Sequence, residues 1–215
     1  MFGERGLDLS PLENAPIKRF NTYEARQIKD ISALKNAKLE WIRLERSLVE
    51  DISPLKGQPI KDAIINAPVN DVSPLVGSPV VYLDVCSQKG LVDMSAFKDC
   101  PATATMEDLR IDDTGITDIS FIKNMKRLIV FTTGGCKIKD LSPIKDLDIQ
   151  VFTFLPKNYS PEQIKIIRET KSLKWISTGF NEGWGLGLGH DISKTKRPTL
   201  PAEEFWKNYD AGKYK

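Results

Sequence analysis

The chain has 215 residues, 40% of them hydrophobic and 28% charged, and its 31 Lys and Arg against 29 Asp and Glu leave a formal net charge of +2. That composition excludes a fibrous or disordered chain and allows a sizeable core, while the dispersed, near-balanced charge gives no sign of a nucleic-acid or anionic-membrane partner. Cys86, Cys100 and Cys136 have neither the paired spacing nor the even count of a disulfide framework or zinc site. No window approaches the roughly twenty apolar residues of a membrane-spanning helix, and the start "MFGERGLDLSPL" lacks the apolar stretch of a signal peptide, so the expected location of the chain as given is the cytoplasm.

From the N-terminus onward one phrase returns: "DLSPL" at Asp8, "DISAL" at Asp30, "DISPL" at Asp51, "DVSPL" at Asp71, "DMSAF" at Asp93, "DISFI" at Asp118 and "DLSPI" at Asp140. The intervals are 22, 21, 20, 22, 25 and 22 residues. A period this steady marks a solenoid, whose units are each too small to bury an apolar face alone and do so against their neighbours.

Each unit pairs a corner with a short strand. In "LEWIRLERSLVED" the core positions are Leu39, Ile42 and Leu44; in "MEDLRIDDTGITD" they are Met106, Leu109 and Ile111, followed by Ile116; in "LIVFTTGGCKIKD" they are Leu128, Phe131 and Thr133, the threonine being the weaker fit. Alternation puts the residues between them on the opposite face. In the corner, Ser53-Pro54 and Ser73-Pro74 predict a short helical turn with serine as the acceptor for its first N–H groups, ended by Gly57 and Gly77. Leu44, Ile65, Val85 and Ile111 are expected to form one buried column. The connections "NAPVND" and "CSQKGLVD" are one residue short and one long.

The Leu-x-x-Leu-x-Leu strands with "DISPL" corners resemble the bacterial leucine-rich repeats of internalin-like proteins. The "SPLKGxP" variant is similar, more narrowly, to repeats that follow Ser/Thr kinase domains in planctomycete and related bacterial proteins. In that narrower group a helix, a "LKxI" segment and a terminal "PAxEFWK" run close the array; "SPEQIKIIRETKSLKWI" and "LPAEEFWKNYDAGKYK" stand here in the same order, with a longer connection between them. The resemblance implies an α/β leucine-rich-repeat solenoid with short parallel strands on the concave face and helical turns on the convex face. Residues 1–155 are then the array, about seven units with the first incomplete, and 156–215 a C-terminal helical cap containing a Gly-rich loop, 179–190. Ser160-Pro161-Glu162-Gln163 is independently a helix start, with Ile164 and Ile167 on its buried side, and Phe205 and Trp206 read as a plug on the last coil.

Catalytic signals are weak. Gly183, Gly185, Gly187 and Gly189 alternate without the Gly-Lys-Ser/Thr ending of a phosphate loop, and His190, the only histidine, has no nucleophile elbow to serve. No kinase signature is present in this chain. Glu107, Asp108, Asp112 and Asp113 lack the Asp-x-Asp-x-Asp-Gly order of a calcium loop and read as a solvated acidic face. No cofactor or metal is therefore expected, and no enzymatic activity.

What remains is the free face of the strands, where four basic side chains meet eight acidic ones, a balance suited to a protein or peptide and not to nucleic acid. Trp41, Arg43, Arg46, Tyr82, Asp84, Asp108 and Arg110 are the expected partner-binding residues, since Trp, Tyr and Arg most often anchor interfaces. The first coil has no strand before its corner and no capping segment, so Leu7, Leu9, Leu12 and Ile17 are expected to be covered by further sequence or by self-association.

Overall fold

The structure is a computed structural model and describes residues 7–22, 25–178 and 200–214. The sequence-singled Gly-rich loop 179–190, with Gly183, Gly185, Trp184, Gly187, Gly189 and His190, lies outside the described residues.

Nine strands form one sheet in chain order: β1 (Arg19–Asn21), β2 (Trp41–Arg43), β3 (Asp62–Ile64), β4 (Tyr82–Asp84), β5 (Asp108–Arg110), β6 (Val130–Thr132), β7 (Val151–Thr153), β8 (Trp175–Ser177) and β9 (Leu200–Pro201). Neighbours from β1 to β8 are parallel, and β9 turns antiparallel on β8. Parallel pairing of consecutive strands requires the chain to travel around and return once per repeat, which is what the phrase interval supplies. The middle residues Phe20, Ile42, Ala63, Leu83, Leu109, Phe131, Phe152 and Ile176 fall in register and point to the core.

The column expected two residues further on is present: Leu44, Ile65, Val85 and Ile111 are all fully buried. Thr133 continues it without an unpaired hydroxyl, because its Oγ1 donates to the Thr153 carbonyl at 2.9 Å. The weaker fit foreseen for that threonine is thus met by a polar bond to the next coil.

Each corner is a short 3-10 turn, but its capping differs from the expectation. Serine does not accept; it donates. The aspartate two residues earlier takes the serine N–H at 2.7–2.9 Å in all seven phrases. In six of them its second oxygen also takes the serine hydroxyl. A carboxylate reaches the orphan N–H groups of a 3-10 turn from outside the turn, where a serine in its first position cannot. The 25-residue interval from Asp93 to Asp118 accommodates an extra helical turn, α1 (Pro101–Thr105), after the corner.

Between β7 and β8 the sheet continues without a break, while α2 (Pro161–Glu169) replaces the 3-10 turn on the convex side. The capping box is complete: Gln163 N–H donates to Ser160 Oγ and Ser160 N–H to Gln163 Oε1. Beyond β9, α3 (Ala202–Asp210) inserts Phe205, 1% exposed, against Phe154 with ring centroids 5.7 Å apart. Trp206, Tyr209 and Tyr214 pack around that ring.

Candidate partner-binding face

Residues flanking the core position of each strand line the concave face in two columns. The first runs Arg19, Trp41, Asp62, Tyr82, Asp108, Val130, Val151, Trp175; the second runs Asn21, Arg43, Ile64, Asp84, Arg110, Thr132, Thr153, Ser177. Trp41 and Tyr82 share one column two coils apart, and Arg43, Asp84 and Arg110 share the other.

Side chains on adjacent parallel strands are only ~4.8 Å apart, so large ones lie on one another instead of standing free. The Arg19 guanidinium sits 4.6 Å from the Trp41 ring centroid, and Arg110 sits 5.0 Å from that of Tyr82. Arg110 also forks onto Asp108 through Nε to Oδ1 at 2.9 Å and Nη2 to Oδ2 at 2.8 Å. Arg43 Nε donates to Glu45 Oε2 at 2.8 Å.

The free face read from alternation is therefore corrected in part. Trp41, Arg43, Asp84 and Arg110 are buried, Tyr82 and Asp108 are half-buried, and Arg46 is exposed. Arg46 holds a left-handed backbone, φ 57, where the chain leaves β2, and its N–H donates to the Asn66 carbonyl.

Beneath Tyr82 lies a polar chain that crosses three coils. The Tyr82 hydroxyl donates to Asp84 Oδ2 at 3.3 Å, and Cys86 N–H to Asp84 Oδ1 at 3.1 Å. The Cys86 thiol points to Asp112 Oδ2 at 3.4 Å, and Gly134 N–H donates to Asp112 Oδ1 at 2.6 Å. Burial raises the Asp84 carboxyl above the usual aspartate range, with Arg110 opposing, and it pushes the Cys86 thiol and the Tyr82 phenol well up. Cys86 is thus an inert, enclosed thiol rather than a nucleophile.

The four carboxylates singled out for calcium go separate ways. Glu107 meets Arg127, Asp108 meets Arg110, Asp113 meets Lys89, and Asp112 meets Thr132, Gly134 and Cys86. Among the described residues no group of three or more His, Cys, Asp or Glu is placed to hold a metal. No helix among them is long and apolar enough to cross a membrane.

Two residues of the face were missed in the sequence. Arg19 belongs to a first strand whose sequence, "RFN", has no apolar alternation; only its distance of one repeat from Trp41 marks it. Trp175, 39% exposed, ends the first column from within a segment read as the tail.

No family model and no curated protein matches the chain. Among solved structures it is similar to an internalin (inlF) from Listeria monocytogenes, at 20% identity and a TM-score of 0.66, over 79% of this chain and 57% of that one. Internalin C2 from the same organism is 26% identical with a TM-score of 0.43, covering 60% of this chain and 67% of that one. The chain thus spans a little over half the length of the first internalin, and at that identity the likeness concerns the fold alone. Together with the coil-by-coil parallel sheet and the corner repeated beside each strand, it establishes the chain as a leucine-rich-repeat solenoid.

Proposed function

We propose that the chain is a non-catalytic scaffold that binds a protein or peptide on the concave strand face. Tyr82, Asp108 and Arg46 make the contacts, Asp84 and Arg110 hold Tyr82 and Asp108 in place, and Trp41 and Arg43 extend the two columns toward the N-terminal coils. The observation that carries this is the Tyr82–Arg110–Asp108 cluster, in which a half-buried aromatic and a half-buried carboxylate are both set by one enclosed guanidinium. Side chains immobilised before binding lose little entropy on contact, which is how a small face gains affinity. The two strand columns set Arg19, Arg43 and Arg110 against Asp62, Asp84 and Asp108, so the face has no basic excess for a phosphate backbone and nucleic acid is the wrong class of partner.

The test starts from a partner whose contact with the concave face has been mapped by cross-linking. Tyr82→Ala and Asp108→Asn should each weaken it by about tenfold or more, as expected for a central interface residue. Unchanged affinity in both variants, with folding verified by circular dichroism, would remove this face from consideration. Trp41 and Arg110 are unsuitable probes, because truncating buried groups costs stability as well.

Self-association through the N-terminal coil belongs to the same proposal. Leu9, Leu12, Ile17 and Phe20 are half-buried where Ile31, Leu34, Leu39 and Ile42, one coil on, are enclosed. Three free cysteines, two of them buried, support the cytoplasm as the place of action. Linkage to a kinase or to a surface protein rests on the resemblance of the repeats.

A further inference from the structure

The concave face is unevenly open. In the second column Thr132, Thr153 and Ser177 are 0%, 1% and 2% exposed, and in the row two residues further along the chain Cys86 and Asp112 are 0% and 3% exposed. In the first column Tyr82 and Asp108 are only half-buried, and Trp175 is exposed. Neighbouring strands do not account for the enclosed rows. Side chains on one sheet face stand beside one another ~4.8 Å apart, so a neighbour of equal height hides a residue's flank and not its tip. Thr153 stands in register between Thr132 and Ser177, with Val151 before it on the same face, and none of the three is taller than Thr153 itself.

The cover comes from elsewhere in the chain. The corner turns stack on one another and on α1, α2 is on the convex side, and α3 ends the array against Phe154. Outside the described residues are 1–6, 23–24, 179–199 and 215. Of these, only 179–199 joins the sheet beside the enclosed rows: it leaves after β8 and returns at β9, where Leu200 pairs with Ile176. Half of this segment, ~10 residues at ~3.3 Å each, reaches ~33 Å, whereas β8 and β4 are four strand spacings, ~19 Å, apart. The segment is long enough to cross to Cys86 and come back.

Its sequence suits the surface. In "GWGLGLG" glycine alternates with Trp184, Leu186 and Leu188, so an extended backbone puts the three apolar side chains on one side. What they would meet is the Cys86 thiol, the methyl groups of Thr132 and Thr153, and Val151.

We propose that residues 179–199 lie across the concave face from β8 to β4, with Trp184, Leu186 and Leu188 packed on Cys86, Thr132, Val151 and Thr153, so that the chain occupies the inner rows of this face with its own segment. Tyr82 and Asp108 stay accessible beside it. The proposal goes beyond the binding of a partner by those two residues, and its test uses no partner.

Cys86 is the reporter. In a Cys100→Ser chain the two remaining thiols are both buried, Cys86 under the proposed segment and Cys136 in the core. Labelling of the native chain with a thiol reagent, located by mass spectrometry, should be slow at both. Replacing 179–199 by a short Gly-Ser turn between β8 and β9 should speed labelling of Cys86 by about a hundredfold and leave Cys136 unchanged, because only Cys86 loses its cover. Equally slow labelling of Cys86 in the two chains, with Cys136 protected in both, overturns the proposal. A second measurement does not depend on the shortened chain folding. In the full chain grown with photo-leucine, irradiation should join Leu186 or Leu188 to peptides containing Val130–Thr132 or Val151–Thr153. Cross-links from 179–199 that reach only the convex corners, or none to the strands, overturn it as well.

Discussion

Asp84 is enclosed at the centre of the concave face, 1% exposed, with Tyr82 and Cys86 from its own coil and Arg110 and Asp112 from the next facing it. One guanidinium, already forked onto Asp108, serves several carboxyls, and burial therefore decides the direction in which Asp84 moves. Its folded value lies above the unfolded one, near 3.8, so the folded state binds the extra proton between the two. The stability this contributes is complete below the unfolded value and is lost as pH rises through the folded value. Asp84→Asn keeps the acceptor for Cys86 N–H and cannot ionise. In urea unfolding from pH 4 upward, the wild type should lose stability relative to Asp84→Asn as pH rises, and the difference should level off once the folded value is passed. A constant difference between the two across that range would show that Asp84 ionises in the fold as it does in the unfolded chain.

At the scale of the element, the corner shows how one phrase can be built from different backbones. Gly57 ends its turn with φ +79, and Asn14 and Asp99 hold left-handed backbones, φ 62 and 56, at the same point of their coils. Gly77 does not, although "KGQP" and "VGSP" read alike. A Cβ would meet nothing within 4 Å at either glycine, so conformation alone separates them. Gly57→Ala should cost about 1–2 kcal/mol for placing a Cβ in the left-handed region. Gly77→Ala should be neutral or stabilising by about 0.4–1 kcal/mol, since it only restricts the unfolded chain. Denaturant midpoints for the pair decide the matter, and equal losses would refute the distinction.

For the whole molecule, stability is distributed along one axis, because each coil touches only its neighbours. The two ends are finished differently. At the C-terminal end the aromatic rings run on from coil to coil: Phe131 to Phe152 at 5.9 Å, Phe152 to Phe154 at 5.5 Å, and Phe154 to Phe205 of α3 at 5.7 Å. Pro201 and the antiparallel turn of β9 end the sheet on that side. Phe205→Ala should cost about 3–5 kcal/mol. Hydrogen exchange should then show α2 and β8 losing protection before β2 to β4. Uniform loss along the array would mean that the coils unfold as one unit and that α3 is not a local plug.

Periodicity was enough to read the solenoid, the inward column from Leu44 to Ile111, and the start of α2 at Ser160-Pro161, because each depends on spacing along a single coil. The Asp-x-Ser corner was legible as a turn, but not the direction of its hydrogen bonds, since Asp and Ser can both accept and only the geometry of a 3-10 turn decides between them. Alternation also placed Trp41 and Tyr82 in one strand column and Arg43 and Arg110 in the neighbouring one, whereas Arg46 lies beyond both. It could not tell that Arg110 would lie across Tyr82, or that Asp84 would be enclosed, because those contacts are made between neighbouring coils. The connection after β3 shows the same division: its one-residue shortfall was visible in "NAPVND", but the space of about 400 Å³ lined by Ser47, Asn66 and Lys89 exists only once three coils are stacked in register. Local spacing is a property of the chain, whereas burial and partnership across coils are properties of the stack, and those were decided by the tertiary structure alone.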